Sequence, residues 1–130
     1  MQKLKIIESS TAPKPIGPYS QAIVAGDFLF ISGHVGNDPS SGKIVEGGVE
    51  AQTKRIMQTL GSILKEAGLD YEDAIKCELY LKDISDFKAV NAVYGSFFTK
   101  GHFPARQTMQ VAALPLGALI EISCIAYLGK

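Results

Sequence analysis

The apolar period changes repeatedly along this chain, and those changes constrain its fold more tightly than any single motif. Residues 22–25 and 28–31 are two apolar runs on either side of Gly26-Asp27, the spacing of a β-hairpin closed by a two-residue turn. From Val49 the period lengthens from two to about three and a half. Val49, Ile56, Met57, Leu60, Ile63, Leu64 and Ala67 fall on one helical face, and Gly68 follows as a terminator. Residues 74–81 return to alternation, with Ile75, Cys77, Leu79 and Leu81 on one side and Lys76, Glu78, Tyr80 and Lys82 on the other. A second helical stripe (Phe87, Val90, Asn91, Tyr94, Phe97 and Phe98) predicts a helix with Ser85 as its N-cap. Residues 3–8 supply a short first strand. Strands over 106–112 and 118–128 close the chain around the Leu114-Pro115-Leu116-Gly117 turn.

The resulting order, β-β-β-α-β-α-β-β, predicts an α+β fold with two helices packed on one face of a sheet. At 130 residues the chain suits a single domain spanning 1–130. A domain of this size has little interior for a deep private pocket, so a crevice or a subunit boundary is the expected place for a site. The other sheet face needs cover, which self-association would provide. Thirteen basic residues balance thirteen acidic ones, and no dense basic stripe is present, which argues against nucleic-acid binding. The apolar run 112–120 is broken by Pro115 and Gly117 and is too short to span a bilayer. The N-terminal residues do not read as a secretory signal, so a cytoplasmic protein is the expectation. Cys77 and Cys124 stand alone in apolar runs and read as buried thiols in a reducing compartment. His34 and His102 are isolated too, which leaves no metal-ligand cluster; His34 reads as a surface-loop residue.

Three polar residues stand out against this framework. Strand alternation places Arg106, Thr108 and Gln110 on one face, and Arg106 begins its strand directly after the rigid Phe103-Pro104 step. A planar guanidinium in a fixed direction suits bidentate capture of a carboxylate, although a structural ion pair or an exposed strand end fits the same pattern. Glu121 shares a face with Leu119, Ser123, Ile125 and Tyr127. A carboxylate in such company can order a water or move a proton, or simply be solvated on an edge strand. Asn91 lies within the apolar stripe of the second helix, as a structural staple or as an amide aimed into a cavity. Tyr19, in Gly17-Pro18-Tyr19-Ser20, and the small Ser32-Gly33 step add a hydroxyl and an approachable backbone.

In order along the chain, these pieces resemble the RidA family, also called the YjgF or L-PSP endoribonuclease-like family. The matching segments are Ile16-Gly17-Pro18-Tyr19-Ser20-Gln21-Ala22, Phe30-Ile31-Ser32-Gly33, Val90-Asn91-Ala92-Val93-Tyr94, Phe103-Pro104-Ala105-Arg106, and Leu114-Pro115 through Ile120-Glu121-Ile122. The resemblance implies a chorismate-mutase-like α+β subunit with a mixed sheet, assembled as a homotrimer with clefts between subunits. It implies hydrolysis of reactive 2-imino acids to 2-keto acids and ammonia, with no metal or organic cofactor. Arg106 would hold the substrate carboxylate and Glu121 would place the attacking water, while Tyr19, Ser32, Gly33, Asn91 and Thr108 would line the pocket. Two positions depart from the family pattern. Gln107-Thr108 replaces the common Ser-Cys after the arginine, which removes a thiol, and His34 stands where the family often has Gln. That change would alter the pocket rim or substrate range if His34 is not simply a surface-loop histidine. A ligand-binding module that keeps the arginine clamp without turnover is the alternative that Thr108 raises. For endoribonuclease chemistry the sequence offers neither paired histidines nor a basic stripe.

Overall fold

A computed structural model describes residues 4–129. The strands are β1 (Lys5–Ile7), β2 (Ala22–Ala25), β3 (Phe28–Val35), β4 (Ala74–Leu81), β5 (Ala105–Gln110) and β6 (Ile120–Tyr127). The helices are α1 (Gly48–Glu66) and α2 (Phe87–Gly95). This is the order expected from the apolar periods. The strands form one mixed sheet, β1-β2-β3-β6-β4-β5, in which only the β4–β5 pairing is parallel. That pairing requires a crossover, which α2 supplies. The β2–β3 hairpin closes on Gly26-Asp27 as expected, with Ala25 opposite Phe28.

Both helices lie on one face. α1 rests on β3 and β6, and α2 packs against α1. Ile56, Leu60, Ile63 and Leu64 of α1 meet Leu79, Leu81, Ile120 and Ile122 of the sheet in one core. Leu60 is only 1% exposed, and its truncation to Ala would cost about 2–5 kcal/mol. α1 ends where Gly68 takes a φ of +79°. The Leu69 N–H donates to the Leu64 carbonyl and the Gly68 N–H to that of Lys65, the paired bonds of a Schellman stop. Cys77 and Cys124 are buried and free, opposite each other on β4 and β6.

The opposite face of the sheet is open. Ile6, Ile23, Phe30 and Ile125 form an apolar row across four strands, and Phe28 packs on Tyr127 beside it with ring centroids 5.6 Å apart. Ile6 is 62% exposed and Phe30 44%.

Local geometry corrects several sequence expectations. Ile75, expected on the core side, is exposed because the register against β6 slips between Ala74 and Lys76. β3 runs past Ile31 to Val35 through a second irregularity between Ile31 and His34. Ser85 does not cap α2. Its N–H and hydroxyl both donate to Asp83, which opens a 3-10 turn over Ile84–Asp86, and α2 starts only at Phe87. Phe97 and Phe98 lie past the end of α2 yet still pack on the core. β5 stops at Gln110, short of Ala112, and β1 at Ile7; Lys3 lies outside the described residues.

Candidate active site

Two groups of polar side chains flank the sheet, and each uses a distinct piece of local structure. The first forms where β5 meets α2. Arg106 pairs with Cys77 in register, so its side chain leaves the sheet on the helix side. Its guanidinium carbon lies 5.1 Å from the Tyr94 ring centroid and 5.4 Å from that of Phe87. These rings are two helical turns apart on α2, and Asn91 lies between them on the same face. Such a slot holds a planar cation in one orientation, and each ring contributes on the order of 0.5–2 kcal/mol. Among the described residues, no carboxylate lies within ion-pair distance of Arg106; the ion pairs found are Lys76–Glu78 and Lys100–Glu72. Asn91 Oδ1, Tyr94 Oη and Thr108 Oγ1 are all buried without a hydrogen-bond partner. Burial pushes the Tyr94 phenol far up, so it remains a donor at every physiological pH. Leaving a buried polar group unpaired costs about 1–3 kcal/mol.

The second forms at the irregularity in β3. There the Ser32 N–H donates to the Gln21 carbonyl at 3.0 Å, and its hydroxyl donates to the Ser20 carbonyl at 2.6 Å. Gly33 lies directly beneath the Glu121 carboxylate. A Cβ on Gly33 would collide with Glu121 Oε2 and fall 2.9 Å from its Cδ, so a larger residue here would have to displace the Glu121 carboxylate. Glu121 is half-buried, and desolvation raises its carboxyl above the usual range. A cavity of about 290 Å³ opens here, lined by Tyr19, Ser32, Gly33, His34, Pro115 and Glu121. Leu116 holds a strained φ of +59° in the turn that sets Pro115 against this cavity. A shallower depression continues past Glu121 and Tyr80 onto the open sheet face.

The residues singled out by sequence therefore separate into two groups. Tyr19, Ser32, Gly33 and Glu121 line one cavity; Arg106 and Thr108 lie elsewhere, on the helix side of β5, with Asn91 on the α2 face that carries the Arg106-facing rings. Glu121 alternates with the buried Ile120 and Ile122, so it points to the open face, opposite to Arg106. β4 separates the two strands, which puts them roughly 10 Å apart even before the sheet is crossed. A single subunit does not bring Arg106 and Glu121 to one small molecule.

Sequence reasoning misplaced one residue. His34 is no surface-loop side chain: it is 7% exposed and lines the second cavity. Simple alternation from Leu29 and Ile31 would turn Gly33 inward and His34 outward. The extra residue between Ile31 and His34 reverses that phase and sets His34 opposite the buried Ile122. The flanking rings of Phe87 and Tyr94 had read as ordinary stripe residues. Their spacing relative to Arg106 is visible only once α2 lies over β5.

Comparison with known proteins now places this arrangement. Residues 9–128 match the family described as Endoribonuclease L-PSP. The chain belongs to that family. A RutC family protein of Synechocystis is 47% identical over 126 residues, covering 96% of this chain and 97% of that one. Human 2-iminobutanoate/2-iminopropanoate deaminase is 46% identical over 125 residues, covering 96% of this chain and 90% of the human protein. The crystal structure of E. coli TdcF with bound serine superposes with a TM-score of 0.90 at 37% identity, covering 95% of this chain and 98% of TdcF. This family member thus shares the architecture of its solved relatives over nearly its whole length. Among its described residues, no helix is long and apolar enough to cross a membrane.

Proposed function

We propose that this protein hydrolyses 2-imino acids to 2-keto acids and ammonia; relatives named 2-iminobutanoate/2-iminopropanoate deaminase support the reading. The observation that carries the reading is the Arg106 guanidinium, held between two aromatic rings with no acidic partner among the described residues. It suits the substrate carboxylate, which it would grip through two parallel N–H···O bonds. Asn91 and Thr108 would satisfy their unpartnered oxygens around the same ligand. Glu121 accepts a proton from a water as that water adds to the electrophilic imine carbon. The proton passes on to the nitrogen, the carbinolamine hydroxyl gives up its own proton as the C=O bond forms and the C–N bond breaks, and ammonia leaves. A carboxyl group raised by burial is a stronger proton acceptor than an ordinary glutamate. Tyr19, Ser32 and Gly33 shape the space beside the reacting carbon. The chemistry asks the protein only for orientation and proton transfer, so the reading requires no cofactor. Thr108, in place of a thiol, is compatible with this route because no step uses a nucleophilic sulfur.

The two half-sites lie on opposite faces of one sheet, so this reading requires a neighbouring subunit to bring Arg106 to Glu121. The exposed row Ile6, Ile23, Phe30 and Ile125 gives the open face a surface to bury against a copy of itself. We therefore propose that subunits associate with the sites in the clefts between them, as the homotrimer that the family resemblance implies. Loss of 2-iminobutanoate, generated in situ, tests the activity in wild type, Arg106→Ala and Glu121→Ala side by side. Decay unaffected by the wild-type protein at several concentrations would refute the hydrolase. A monomeric mass by light scattering at micromolar concentration would refute the shared site.

A further inference from the structure

The chain has two cysteines, Cys77 and Cys124, and the hydrolytic route uses neither. The antiparallel register of β4 and β6 sets them directly opposite each other, and both belong to the core on the helix side of the sheet. Opposed residues of an antiparallel pair have Cα atoms about 4.5–5.5 Å apart, inside the span of about 4.4–6.8 Å that a disulfide bridges. Both thiols are free, and they are 1% and 3% exposed. The Cys124 thiol beside it holds the Cys77 thiol below its ordinary range; burial opposes this, and Tyr94 and Arg106 reinforce it. The Cys124 thiol is pushed far up by the same contact and by burial. Cys77 is therefore the more readily ionised of the two, and the thiolate is the form that reacts with oxidants. Cys77 is also the register partner of Arg106 across β4 and β5. Cys124, Cys77 and Arg106 thus form one row over three strands, with the Tyr94 ring above its Arg106 end.

We propose that Cys77 and Cys124 form a reversible disulfide under hydrogen peroxide, and that closing it weakens the carboxylate slot by displacing Arg106. The Cys77 sulfur attacks the peroxide: an S–O bond forms, the O–O bond breaks, and the departing hydroxide takes the thiol proton and leaves as water. The Cys124 sulfur then attacks the resulting sulfenic acid at sulfur. The S–S bond forms, the S–O bond breaks, and the hydroxyl leaves with the Cys124 proton as a second water. The two electrons lost by the sulfurs reduce the peroxide. Hydrogen peroxide is little larger than water, so local opening admits it, whereas a reagent the size of glutathione is excluded. Cβ atoms of opposed residues lie about 4.5–5.5 Å apart, and a disulfide holds them at about 3.8 Å. The bond therefore draws Cys77 toward β6 by roughly 1 Å, and the hydrogen-bonded register carries Arg106 with it. A misplacement of that size costs up to about a hundredfold in rate. The proposal rests on the hydrolase reading for its rate readout alone.

Wild type and Cys124→Ala, each kept folded as judged by circular dichroism, are treated with hydrogen peroxide and then with dithiothreitol. Mass spectrometry of non-reduced digests reads the link between residues 77 and 124. Calorimetry gives Kd for 2-ketobutanoate, and loss of 2-iminobutanoate gives kcat/KM, each compared with the same protein before treatment. In the wild type the linked peptide should form, Kd should rise and kcat/KM should fall by about tenfold each, and dithiothreitol should restore both. In Cys124→Ala the peroxide should leave a sulfenic acid on Cys77, trapped by dimedone, with no comparable change in Kd. Free thiols in the treated wild type, a disulfide with Kd and kcat/KM unchanged, or an equal loss in Cys124→Ala overturns the proposal. A disulfide that weakens 2-ketobutanoate binding in a protein that turns over no imine upholds it and removes the hydrolase reading instead. If Cys124→Ala does not fold, dithiothreitol decides on the wild type, because it reverses a disulfide but not methionine oxidation; a loss it fails to restore overturns the proposal.

Discussion

The two half-sites achieve readiness by opposite means. At the β5–α2 junction a charge is kept available: Arg106 is oriented by two aromatic faces, and unpartnered oxygens surround its slot. At the β3 irregularity a charge is made uncomfortable: Glu121 is pressed against Gly33 and desolvated, which raises its proton affinity. The first arrangement suits binding an anion and the second suits moving a proton. They stand on opposite faces of the same sheet, so each is chemically incomplete in an isolated chain. This is why assembly and catalysis should be inseparable here.

The largest effect comes from separating the halves deliberately. Arg106→Ala and Glu121→Ala should each lower kcat/KM by roughly a hundredfold or more, one through lost carboxylate binding and the other through lost proton transfer. Unfolded together and refolded as mixed trimers, the two inactive chains should recover about a quarter of wild-type activity. In random assembly about three-quarters of trimers are mixed, and one of their three clefts pairs an intact arginine with an intact glutamate. No recovery would place both residues' action within one subunit.

Tightening the Glu121 half should cost less. Gly33→Ala forces the carboxylate aside, with an expected loss of about 1–3 kcal/mol in unfolding free energy and a parallel fall in kcat. In a Glu121→Ala background the same change should be nearly neutral, and a double-mutant cycle in denaturant reads that coupling directly. Additive losses would mean that Gly33 is needed for some other reason.

The pH profile separates the halves more finely. Because burial raises the Glu121 carboxyl, the acid limb of kcat/KM should lie above the ordinary glutamate range. Glu121→Gln should remove the limb, whereas Arg106→Lys should lower the plateau and leave the limb in place. The smallest expected effect concerns His34. Its folded pKa is depressed, so the unfolded chain takes up a proton first as pH falls below about 6.5. Its contribution to stability is complete above that pH and is lost on the way down to the folded value. His34→Gln should flatten this part of the stability profile, measured by denaturant midpoints between pH 8 and pH 5.

Much of the fold was legible because it depends on period. The two-residue repeat of β4 and β6 and the longer repeat of α1 each report which side of an element is buried, and Gly68 marks where α1 must stop. The errors fell where one extra residue shifts a register. Ile75 and His34 both sit at such slips, and nothing in their immediate neighbours announces one. Ser85 failed as a cap for a related reason. Asp83, two residues earlier, captured its N–H and hydroxyl and built a 3-10 turn first.

The candidate site divides along the same line. Sequence alone determined which side chains are unusual, because an arginine after Phe-Pro, a glutamate in an apolar strand and an asparagine in a helical stripe are all visible as breaks in local pattern. It also determined that Arg106 and Thr108 share a face, since alternation is built into the strand. Only the tertiary structure decided what those side chains meet. Strand order in the sheet set β6 and β5 apart, helix packing brought Phe87 and Tyr94 onto Arg106, and a single irregularity turned His34 to the buried side opposite Ile122. Those outcomes follow from contacts between residues distant in the chain, which a local period does not encode.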